Sequence, residues 1–301
     1  MRRNQRAWFA GVLLFFVSAC TGEDDAGTGT LSLSVSGGEG VRDGFPHTEG
    51  TSVREFVDGW ELSFDRFIVS VGNIRLSEPE TTNVNAELAG PFAVDLAASA
   101  DAVVPLDAIT DAPAVRQDFE LSLLSGAQAT NVNLSDADFS QLSADGATMW
   151  LSGTAVRGDE VVPFDLRFTR PARFFRCSNG LDNTRGVAVP RNGESTALIS
   201  MHVLHLFQDA LAIAEGGLFF DAIAARAGDD GVVTLEELRD QSIQGPLDAE
   251  GSVITVGSRP LVYNDNGLLA PSDYNLAVFL EHAARNLIHF NGLGLCAQQW
   301  L

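Results

Sequence analysis

Between residue 30 and about residue 175 apolar and polar side chains alternate in short runs separated by turn-forming residues. Leu31, Leu33 and Val35 alternate with Ser32, Ser34 and Ser36, the period of a strand with one buried face. In the stretch from Trp60 to Val71 the apolar positions are 60, 62 and 64, then 67, 69 and 71. That change of phase predicts a bulge near Asp65-Arg66. Alternation returns over 92–96, 118–123, 148–156 and 162–168. Gly, Asn, Asp and Pro clusters at 72–73, 89–91, 111–113, 131–136 and 157–159 mark turns. Several short strands with polar turns predict an antiparallel β-sandwich over residues 30–178.

After about residue 195 a helical period takes over. Ile199, Val203, Leu206, Ala210 and Ile213 fit one helix face over 196–214, although 197–204 reads equally as a strand. Helices are also expected at 218–227 and 234–241. A last one runs from about Asp273 to His289, capped by Ser272 and stopped by Gly292. The expected fold class is therefore α+β: a sandwich followed by a smaller, mainly helical part over 179–301.

The first twenty residues read as an address. Arg2, Arg3 and Arg6 precede an apolar run of ten, Trp8 to Val17, followed by Ser18-Ala19-Cys20. The run is too short to span a bilayer and has the order of a secretory signal. It resembles the lipobox of bacterial lipoproteins, which implies removal of residues 1–19, lipidation of Cys20 and a place in the envelope of a Gram-negative bacterium. Thr21 after the cysteine favours the outer membrane over the inner one. Residues 20–29 read as a flexible tether. Cys177 and Cys296 then remain, and in an exported protein they are expected to pair.

Charge narrows the partners. The chain has 19 Arg, no Lys and 40 Asp plus Glu, for a net charge of −21. Residues 1–19 hold three of the Arg and no acid, so without them the charge is −24. Nucleic acid, which needs clustered cations, is excluded as a partner. Attachment to a membrane would come from acyl chains on Cys20 rather than from cations.

Two constellations carry candidate chemistry. The segment 226–237 resembles the calcium loop of an EF-hand. Gly231 stands at the sharp turn, Asp230 at the fifth position, Val232 where a backbone carbonyl ligates and Glu237 where a carboxylate closes the loop, with Asp229 beside them. Thr234 and Glu237 have the spacing of a capping box. Arg226 and Gly228 stand where the pattern has oxygen ligands at its first and third positions. A fainter echo follows at Asn264-Asp265-Asn266-Gly267. The second constellation is His202-x-x-His205-x-x-x-Asp209 with His282 and His289. If both stretches are helical and packed together, the imidazoles and carboxylate can bind zinc or a similar transition ion.

Phe56-Val57-Asp58-Gly59-Trp60, Gly90-Pro91-Phe92-Ala93-Val94-Asp95-Leu96, His202-x-x-His205-Leu206-Phe207 and His289-Phe290-Asn291-Gly292-x-Gly294-x-Cys296 resemble a group of uncharacterised exported lipoproteins of Gram-negative bacteria. The resemblance implies no activity. In that group an acid precedes the second His and the loop has a fuller Asp set, whereas Leu204 and Arg226 stand at those places here.

No catalytic residue is assigned. Ser195 lacks a Gly-x-Ser-x-Gly context, and a phosphate-cradling loop with its Lys is excluded by the lack of Lys. The sequence leaves a metal-associated binding or sensing lipoprotein, an interaction module for a protein or glycan with a relic loop, and a hydrolase built on a carboxylate pair.

Overall fold

The computed structural model describes residues 27–81, 83–98, 103–211 and 216–301. Cys20 and the expected signal segment lie outside the described residues. The protein is β-rich, as the alternation predicts. Thr28–Ser36 buries every second side chain, so the first strand begins inside the segment expected to be tether. Among the described residues it forms a four-stranded sheet with Val104–Pro113 on one side, and on the other with Glu194–Met201 and then Ile288–Phe290. Its pairing with Glu194–Met201 is parallel. The larger sheet has eleven strands and is built around Glu61–Ser77, which pairs with both Met149–Arg157 and Arg116–Leu123.

The expected bulge is present. Phe64 opposes Gly153 and Arg66 opposes Ser152, so Asp65 is the extra residue. The turn expected at 72–73 is a second register shift within the same strand, with Asn73 at φ 48°. The strand therefore continues to Ser77 and curves without ending. The helix Asp136–Asp145, capped by Ser135, was not foreseen. It covers a small separate core of Ile68, Ala93, Leu134, Leu142, Ala147 and Trp150.

The second half is less helical than its periodicity suggests. β-branched Thr196 and Ile199 favour extended backbone, and Glu194–Met201 is a strand. Only the 3-10 turn Val203–Leu206 follows it. The expected helices at 218–227 and 234–241 reduce to Asp221–Ala224 and the 3-10 turn Glu237–Asp240. The last helix is Leu276–Arg285, capped by Asn275 rather than Ser272. Its stripe of Leu276, Phe279, Leu280 and Ala283 is buried. Strands from beyond residue 179 complete both sheets, and a single apolar core runs from Leu31 to Phe290. The compositional change near 178 is thus not a break in packing.

Three ties hold the later chain to the sheets. Cys177 and Cys296 form a disulfide. Val233–Thr234 pairs with Phe164-Asp165. In the motif Phe56 to Trp60, the Asp58 carboxylate accepts from the backbone N–H groups of Phe220 and Asp221, both 2.7 Å away. Trp60 Nε1 donates to Asp221 at 2.9 Å, and Arg157 bonds the same carboxylate while stacking 4.5 Å from the Trp60 ring centroid.

Candidate functional site

Strand pairing builds a histidine cluster that no single helix could. Ser200 lies opposite His289 in the ladder between Glu194–Met201 and Ile288–Phe290. Beyond Met201 the His202 N–H bonds the Leu287 carbonyl at 2.8 Å, and the 3-10 turn follows. Residues three apart eclipse one another in a 3-10 turn, which brings His205 round beside His202. The ring centroids of His202 and His289 are 4.4 Å apart, those of His205 and His289 5.3 Å, and those of His202 and His205 6.1 Å.

His205 and His289 are buried, and His202 is half-buried. His205 Nδ1 lies 2.7 Å from Gln208 Oε1. An amide oxygen only accepts, so Nδ1 carries the proton and Nε2 keeps its lone pair. Both ring nitrogens of His289 are buried without a hydrogen-bond partner of normal geometry. Burial is the main cause that lowers the pKa of all three, and repulsion from neighbouring histidines adds to it at His205 and His289: His289 is pushed down to about 4, and His202 and His205 shift in the same direction. Glu49, in an ion pair with Arg54 at 2.8 Å, partly offsets this at His202 and His205. Imidazoles held neutral are ready to donate lone pairs. A cavity of about 300 Å³ opens beside His202, lined also by Phe45, His47, Glu49, Met201 and Gly40.

The other two members of the expected set lie elsewhere. The helix stops at Arg285, so His282 and His289 do not share a helix face. His282 packs edge-on to Trp300 at 5.6 Å and accepts from Arg285 at 3.0 Å. Asp209 is directed toward Gly216, where an added Cβ would lie 3.0 Å from its Oδ1. Among the described residues no group of three or more His, Cys, Asp or Glu is arranged to hold a metal ion. Gln208 was missed, and only the i, i+3 spacing from His205 pointed to it.

A pH dependence follows from the cluster. Between about pH 6.5 and pH 4 the unfolded chain binds the His289 proton and the folded chain does not. Its contribution to stability is therefore complete above pH 6.5 and declines as pH falls through that window, by up to about 3 kcal/mol. Buried Asp95 and half-buried Asp58 and Asp209, whose pKa values desolvation raises, act in the opposite sense. Urea unfolding midpoints of the protein and of His289→Gln should diverge above pH 6 and converge near pH 4.5. Parallel profiles would contradict the assignment.

In the EF-like segment, three oxygens face one point. A Cβ added to Gly228 would lie 3.3 Å from Asp230 Oδ1, 3.3 Å from Glu237 Oε1 and 3.5 Å from the Val232 carbonyl oxygen. Glu237 also accepts from the Thr234 N–H at 3.0 Å and from its hydroxyl, which lowers its pKa. This is the glutamate half of the expected capping box. Asp229 is exposed. Arg226 bonds Gln241 Oε1 at 3.1 Å, and Gln241, fully buried, also bonds Ala222 and Leu247. Nothing in the local sequence marks Gln241 for that role. The echo at 264–267 is a turn, with Asn266 and Gly267 at positive φ and Leu269 N–H bonded to Asp265. Gly228→Asp would add a carboxylate to the three oxygens. We expect that variant to lose stability in chelator and regain it in millimolar calcium, with at least about tenfold stronger terbium luminescence than the parent protein. Equal responses would show that the loop cannot hold the ion.

No family model matches the chain, and neither a curated protein nor a solved structure matches it. No helix among the described residues is long and apolar enough to cross a membrane.

Proposed function

We propose that the protein is a lipid-anchored lipoprotein of the Gram-negative cell envelope that binds a transition-metal ion through His202, His205 and His289, for capture or sensing. The observation that carries this reading is the meeting of three imidazoles whose pKa values burial lowers. Three imidazoles bound to a tetrahedral ion through nitrogens at 2.0–2.1 Å hold their centroids roughly 5 Å apart, and the separations of 4.4, 5.3 and 6.1 Å bracket that value. Gln208 fixes one His tautomer, as partners of metal-bound His do. An all-nitrogen set suits zinc, copper, cobalt or nickel. Small rotations of the rings would close it, and the cavity beside His202 would admit a fourth ligand.

In this reading the two sheets are the layers of a β-sandwich, and the segment 226–237 is a remnant EF-hand whose three converging oxygens hold calcium poorly. The anchor on Cys20 supplies the membrane contact, and a protein or glycan partner is left open. A second reading has one observation in its favour: among the described residues no group of three or more His, Cys, Asp or Glu is arranged to hold a metal ion. The histidines would then be a neutral packing cluster in an interaction module. Elemental analysis of purified protein, with and without dialysis against chelator, separates the two. One equivalent of metal is expected before chelation. Less than a tenth of an equivalent after loading with zinc, copper, cobalt and nickel in turn would leave only the packing cluster.

A further inference from the structure

A second group of unusual side chains lies at the last turn of the last helix. The guanidinium carbons of Arg170 and Arg285 are each 4.1 Å from the ring centroid of Trp300. Among the described residues neither has a carboxylate partner, although the chain has 40 acids for 19 Arg. Two cations brought to one indole repel each other, and cation–π attraction of about 0.5–2 kcal/mol each offsets that only in part. The surroundings add donors rather than acceptors. Arg285 Nε and Trp300 Nε1 are buried with no acceptor. His282, beside Trp300, already uses Nδ1 to accept from Arg285. Arg285 and Arg170 both depress the His282 pKa, which burial brings down to about 4, while the more distant Asp273 and Asp265 act weakly the other way. Glu281 lines the same small cleft as Arg170, Arg285 and Trp300 but faces Arg239 at 4.0 Å. Arg170 is exposed and Arg285 half-buried, so an anion from solvent can reach both forks.

We propose that Arg170, Trp300 and Arg285 form a binding site for a small oxyanion, a terminal phosphate or carboxylate gripped by the two guanidiniums at the edge of the indole. Paired guanidiniums match the planar geometry of such groups, and charge-assisted hydrogen bonds of this kind are the strong ones. The cleft has a volume of only about 10 Å³, room for one water-sized atom. It therefore admits a single oxygen and leaves the rest of the ligand outside. The site is independent of the histidine cluster.

The test is a titration of the purified protein with inorganic phosphate, and in a second arm with acetate, at ionic strength held constant with sodium chloride. Trp300 fluorescence and the His282 ring protons in NMR are followed together. Saturable quenching is expected, with the His282 titration moving to higher pH as the bound anion offsets the two cations. Arg170→Gln should weaken binding by roughly tenfold or more. Glu281→Gln, which removes the carboxylate that lines the cleft, should strengthen it. The arm that saturates at the lower concentration identifies phosphate or carboxylate as the preferred group. Linear responses in both arms, or equal responses of the parent protein and Arg170→Gln, would overturn the proposal.

Discussion

Zinc added to the purified protein at pH 7.5 should raise its melting temperature by roughly 8–10 °C at a thousandfold excess over Kd. Ligand linkage at that excess is worth about 4 kcal/mol, and a domain of this size gains about 2 °C per kcal/mol. The same titration should keep most of its amplitude at pH 5.5, where folded His289 is still unprotonated, and lose it near pH 4, where protons compete with the metal for that ring. His205→Ala removes a ligand and frees Gln208, and should abolish the stabilisation. His282→Ala should retain it, because that ring lies against Trp300 and not in the cluster. A zinc-induced shift that survives His205→Ala would place the ion elsewhere. Because His289 is almost completely buried, its removal also costs packing, so His205 is the cleaner probe.

Breaking the disulfide should have the next largest effect. Cys177–Cys296 closes a loop of 119 residues, for which chain entropy assigns about 4–5 kcal/mol. Reduction, or Cys177→Ser with Cys296→Ser, is expected to lower the melting temperature by roughly 10 °C. The bridge lies where Ala172–Phe175 pairs with Ala297–Trp300, so its loss should loosen that edge of the large sheet first. Amide exchange should quicken at Ala297–Trp300 before it does at Glu61–Ser77. A fall of less than 2 °C would mean that the strand pairing already holds the two ends without the bridge.

The first half of the chain was legible because its strands have one buried face, and that condition writes itself as alternation. Asp65 even betrays the bulge through the phase change between Phe64 and Phe67. The second half misleads for a physical reason. Ala197, Ile199 and Met201 satisfy a period of two, and Ile199, Val203 and Leu206 satisfy a helical one. Pairing with Thr28–Ser36, more than 160 residues upstream, decides between them. The histidines show the same limit. Their residue types pointed to a cluster, but which of them meet depends on Ser200 facing His289 across the ladder. That is a fact of topology, and it leaves out His282 and Asp209. Arg170 and Arg285 gave no signal, since nothing local marks an arginine that lacks an acid.

The parallel pairing of Thr28–Ser36 also bears on how the chain reaches its native state. The strand made first sits inside the four-stranded sheet, yet Leu31 waits for Ile109 and Thr30 for Glu194. During synthesis from the N-terminus one of its edges can close once Val104–Pro113 has emerged, but the other stays bare until two thirds of the polypeptide is made. Such late, non-local closure is slow and exposes strand edges to other chains. A nascent chain halted before Met201 should therefore be a poor folder and a ready substrate for holding chaperones.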